Sequence, residues 1–106
     1  MNENAPEFYS ERRVKTRKPH RCYETRRDIP KGAQAVIVTG KWDGEVRSMY
    51  FLPEAMELWK QVDQQYRKMD EELCFGGLHE HFVQQKHYNP DDPLVARWEE
   101  LCQKPA

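Results

Sequence analysis

The chain has no apolar run approaching the length that crosses a bilayer, so no membrane span is expected. Its opening residues, MNENAPEFYSERR, lack the short apolar core of a secretory leader, so no signal peptide is expected either. Cysteine is scarce. Cys22, Cys74 and Cys102 are odd in number and lie 52 and 28 residues apart, which is no disulfide framework. Together these absences predict a protein of a reducing cytoplasm with free, buried thiols. There is no phosphate-binding loop, no dinucleotide fingerprint, no internal repeat and no low-complexity segment. Apolar residues are thin as well, at 38% against 33% charged, so the core should be modest and the ends extended or frayed. A length of 106 residues suits one domain, here expected over residues 12–106.

What is present is an uneven charge. The net charge is −1, yet residues 12–31 hold nine Lys or Arg against only Glu24 and Asp28. A basic arm, residues 12–21, therefore precedes an acidic body, an asymmetry suited to phosphate or to an acidic protein face. Arg12, Arg13, Lys15, Arg17, Lys18, Arg21, Arg26 and Arg27 are the candidate contacts. His20 and Tyr23 are interleaved with them, as in segments that track a nucleic-acid backbone.

The rest of the chain reads as α+β. Residues 1–11 show no apolar pattern and are expected to be a flexible tail. Asp28–Gly32 is a turn signal, with Pro30 fixing φ and Gly32 permitting positive φ. The β-branched run around Val36-Ile37-Val38-Thr39 predicts a strand over roughly 33–39, and Asp43-Gly44 predicts a hairpin into a second strand, 45–51. Val46, Met49 and Phe51 break alternation, which predicts a bulge near Ser48. Pro53 and Glu54 suit a helix start, and Met56, Trp59, Val62, Tyr66, Met69 and Leu73 form one apolar stripe that Gly76-Gly77 should stop. A short helix over 78–86 should bury Leu78 and Phe82, with Val83 beside them. A last helix, 93–103, capped by Asp92, should bury Leu94, Trp98, Leu101 and Cys102.

A turn carrying a cysteine, then a hairpin, then a helix is the order of a treble-clef zinc module, which takes two ligands from the turn and two from the helix start. The stretch KTRKPHRCYE, followed by IPKG, GKWDGE and PEA, resembles small proteins of tailed phages in which RKPHRCxxC leads through IxKG and GxWDG to HPEC. The resemblance covers about residues 15–59 and implies a degenerate zinc-module core over 22–73 with a helical extension over 77–104. Carried over by position, the ligands would be Cys22, Thr25, Leu52 and Ala55, and only the first can bind metal. No metal and no cofactor is therefore expected. The loss removes about 10 kcal/mol of metal-binding energy, which apolar burial by Phe82, Leu94, Trp98 and Leu101 is expected to offset.

Cys74, His79, His81 and His87 form a second metal candidate, but on a helix His79 and His81 point about 200° apart. The alternative is surface histidines beside a buried Cys74. His20 lies near Cys22, but nothing in the sequence marks an oxyanion hole or a pocket, so no enzymatic activity is expected. The resemblance implies a phage protein acting in the host bacterial cytoplasm. The leading expectation is a non-enzymatic binder that inhibits or modifies a host protein: a nuclease, a CRISPR effector or a restriction component. The alternative is an accessory protein that binds DNA or RNA through residues 12–31.

Overall fold

The computed structural model describes residues 8–103. The class is α+β: a three-stranded antiparallel sheet, a two-stranded one, and three helices. The larger sheet is built from β1 (Phe8–Lys15), β4 (Gln34–Trp42) and β5 (Glu45–Phe51), in the order β1-β4-β5. The smaller pairs β2 (His20–Arg21) with β3 (Asp28–Ile29).

β1 is the largest departure from the sequence reading. The tail expected to residue 11 and the arm expected from residue 12 are, from Phe8 to Lys15, one continuous strand on β4. Its sequence, FYSERRVK, hides the strand because only one of its long edges meets another strand. An edge strand tolerates charge, and charge there discourages unwanted pairing. Residues 1–7 of the expected tail lie outside the described residues.

β4 and β5 form the predicted hairpin. Asp43 and Gly44 make its two-residue turn with φ of 50° and 81°, a handedness that matches the twist of the flanking strands. The bulge expected near Ser48 is absent, since the register runs unbroken from Val36↔Phe51 to Trp42↔Glu45. Val46 breaks the pattern because it faces away from the core and is 66% exposed. The register puts Val36, Val38, Met49 and Phe51 on one face, and Ile37, Thr39, Ser48 and Tyr50 on the other.

Helix α1 (Pro53–Lys68) buries Ala55, Met56, Leu58, Trp59 and Val62 in one hydrophobic cluster with Val36, Val38 and Phe51. It ends earlier than its apolar stripe implies. Asp70 takes a left-handed φ of 61°, Met69 is left exposed, and Leu73 returns to the core from irregular backbone. Asp63 makes that return: its Oδ1 accepts the Leu73 N–H at 3.2 Å and its Oδ2 accepts from Arg67 Nε at 2.8 Å. Helix α2 (Leu78–Tyr88) buries Leu78 and Phe82, but Val83 is exposed, being one position round from Phe82 on the helix. Helix α3 (Pro93–Gln103) has the expected bounds, and Asp92 caps it by accepting the Leu94 N–H at 2.9 Å. It buries Val95, Trp98 and Leu101, with Leu94 and Cys102 half-buried.

Candidate functional site

Residues 22–27 link β2 to β3 as a tight knuckle. Arg26 donates its N–H to the Cys22 carbonyl and takes a φ of 63°, while Cys22 donates to the Arg27 carbonyl. The knuckle abuts the start of α1, where Cys22 Sγ accepts the Leu52 N–H at 3.4 Å. Cys22 and Ala55 are fully buried and Leu52 half-buried there, while Thr25 Oγ1 accepts the Arg27 N–H at 3.2 Å. Cys74 is exposed rather than buried, because its stretch is irregular and only its carbonyl turns inward, accepting from Trp59 Nε1 at 3.0 Å. His81 Nδ1 is engaged by the Tyr66 hydroxyl at 2.9 Å, and burial lowers its pKa. Among the described residues no three His, Cys, Asp or Glu side chains converge in a group able to hold a metal ion.

The basic residues do not act as one arm; the fold sorts them. Thr16 is almost fully buried and ties two loops together. Its hydroxyl donates to the Pro30 carbonyl at 2.7 Å, its N–H to the Ala33 carbonyl at 3.0 Å, and its carbonyl accepts from Gly32 at 2.9 Å. This staple sets Lys15, Arg17 and Lys18 beside Lys31, all exposed, at the end of the sheet opposite the Asp43–Gly44 turn. Arg12 and Arg13 are exposed too, but alternation on β1 sends them to opposite faces. Arg21 lies 3.8 Å from Asp28, both largely solvated, a pair of little energetic weight. Arg26 sits over the Tyr23 ring at 5.4 Å.

Arg27 departs from its expected role as a contact. Its Nη1 donates to the Leu101 carbonyl at 2.6 Å, and its Nη2 is buried without a partner among the described residues. It is a cation at the C-terminal end of α3, where the last carbonyls lack partners and the helix dipole is negative. Lys31 takes its place in the exposed set. The signal was in the sequence, since Lys31 closes the basic stretch, but the tie through Thr16 that brings it to Lys15 was not.

A second feature has no counterpart in the sequence reading. A cleft of about 490 Å³ opens between the hairpin tip, α1 and the residues after α1. Tyr9, Trp42 and Met49 line it from the sheet, Trp59 from α1, and Phe75 from the irregular stretch. Phe75 is the hub. It stacks on Trp59 at 4.5 Å and meets the edges of Tyr9 and Trp42 at 6.0 and 6.4 Å. Glu24 holds this stretch in place from the knuckle. Its carboxylate accepts the N–H groups of Gly76 and Leu78, capping α2 from a distant part of the chain. Burial raises the Glu24 pKa to about 6, against the pull of those two hydrogen bonds.

Among the described residues no helix is long and apolar enough to cross a membrane. No protein family, curated protein or solved structure matches the chain.

Proposed function

We propose that the chain is a non-catalytic binding protein that docks its basic end against a negatively charged face of a partner protein. The observation that carries this reading is the stapled cluster of Lys15, Arg17, Lys18 and Lys31. No acid interrupts residues 12–23, and four exposed cations sit at the end of β1 and on the two loops that one buried threonine ties together. Preorganised like charge raises encounter rates with an opposite surface and rejects wrong partners. The resemblance of residues 15–59 to tailed-phage proteins supports a host defence or DNA-processing protein as the partner: a nuclease, a CRISPR effector or a restriction component.

Direct binding of DNA or RNA is the second reading. It is favoured by the face-to-face stack of His20 on Tyr50, with centroids 3.6 Å apart, close in sequence to Arg17, Lys18 and Arg21. One variant separates the two. Changing Arg12, Arg13, Lys15, Arg17 and Lys18 together to Glu alters only exposed side chains, so the circular dichroism and melting curve should stay close to those of the parent. Capture of a host protein complex by the parent, lost in the variant, supports the first reading. If the parent instead binds plain duplex or single strands with a steep salt dependence and captures no protein, the second replaces it.

A further inference from the structure

We propose that the aromatic cleft is a binding site for an organic cation of the guanidinium or alkylated-ammonium class. The inference is independent of the basic end, which lies at the opposite end of the sheet. Three observations lead to it. First, the walls are built from aromatic side chains of three separate elements: Tyr9 and Trp42 on the sheet, Trp59 on α1, and Phe75 after it. Aromatic faces carry negative charge in their π-systems and attract cations, Trp most strongly. A volume of about 490 Å³ is in the range of small-ligand sites.

Second, a carboxylate stands at the mouth. Asp43, Glu45 and Glu72 line the cleft together with the guanidiniums of Arg47 and Arg67. Arg47 and Glu45 neutralise each other at 2.9 Å, and Arg67 is paired with Asp63, outside the lining, at 2.8 Å. Asp43, at the hairpin tip, is in no salt bridge among the described residues. It therefore contributes negative charge at the entrance. Third, one lining ring already holds a cation of this class, since Arg26 lies 5.4 Å from the centre of Tyr23. An anion would meet the carboxylates and the ring faces as repulsion. A neutral apolar ligand would gain the rings but nothing from Asp43.

The test is tryptophan fluorescence and calorimetry on the full chain with three probes: choline, N-acetyl-arginine methylamide, and 3,3-dimethylbutan-1-ol, the uncharged isostere of choline. Trp42 and Trp59 line the cleft, while Trp98 stacks on Phe82 in the core and gives a constant background. At least one cation should bind saturably, and choline should bind roughly tenfold more tightly than its neutral isostere. Asp43→Asn keeps a side chain that tolerates the left-handed turn, so melting should not change. It should weaken the cation about threefold and leave the neutral probe unaffected. Tighter binding of choline assigns a free small ammonium, and tighter binding of the arginine amide assigns a side chain presented by a partner. Either supports the proposal. Saturable binding of choline no tighter than that of its isostere, an unchanged cation affinity in Asp43→Asn, or no saturation by either cation overturns it.

Discussion

Glu24 is a single side chain that joins the knuckle to the start of α2 across 52 residues of sequence. Its two hydrogen bonds favour the carboxylate, yet burial wins and the folded pKa rises to about 6 from 4.5. The folded state thus holds this proton more tightly than the unfolded chain. The stabilisation from that proton is complete below about pH 4.5 and disappears as pH rises through about 6. At 1.36 kcal/mol per pKa unit it is on the order of 2 kcal/mol, seen as a decline in denaturation free energy between those limits. In Glu24→Gln the decline should vanish from this window in urea titrations at several pH values. The amide should also lower stability at all of them, because its NH2 group turns a donor toward one of the two backbone N–H groups. Arg27 is the other residue whose charge the fold takes inward, and sequence gives no means of telling it from its neighbour Arg26. The difference arises only when α3 arrives and offers the Leu101 carbonyl.

Between α1 and α2 the decisive element is irregular, and it shapes the cleft. Gly76 takes a φ of 90°, and a Cβ there would come within 2.7 Å of the Tyr23 ring. Gly76→Ala should therefore cost about 1–3 kcal/mol in chemical denaturation. It should also shift the emission of Trp59, because Phe75 is displaced from its stack. The regular elements around this stretch were readable. The Val36–Thr39 run, Asp43-Gly44, Pro53-Glu54 and Asp92-Pro93 are strong local signals, and each sits where local chemistry placed it. β1 was not readable, since an edge strand with Glu11, Arg12 and Arg13 in succession has no period-2 apolar signature. Nor was the end of α1. Met69 continues the apolar stripe, and the capture of Leu73 by Asp63 is a tertiary event. The basic residues of the candidate site were visible as composition, whereas of the cleft aromatics only Trp59 lay on the apolar stripe, with Tyr9 in the expected tail and Trp42 in the expected turn. Neither grouping follows from local sequence, because the Thr16 staple and the Glu24 cap both join distant segments.

For the whole molecule, the sheet has a basic end and an aromatic end with a carboxylate at its mouth, and the core cluster under α1 lies between them. Both ends depend on β1, which carries Tyr9 to the cleft and Lys15 to the basic loops. A chain lacking residues 1–15 would leave the Val36-Ile37-Val38 side of β4 as a new apolar edge, and such edges pair with other chains. Light scattering should show self-association of that truncated chain at concentrations where the parent scatters as a constant species. The separations along the chain predict an order of folding. β4 and β5 are joined by two residues and should close as a local hairpin, whereas β1 must find β4 across the segment that carries β2 and β3, a slower step. Thr16 opens that segment, next to Lys15↔Gln34, so its three backbone and hydroxyl bonds form a natural starting point. From there the strand would zip outward toward Tyr9, making the cleft the last part of the sheet to close. Until it does, β4 presents an open edge that the β1 of a second chain fits equally well, which is the geometry of a strand-exchanged dimer.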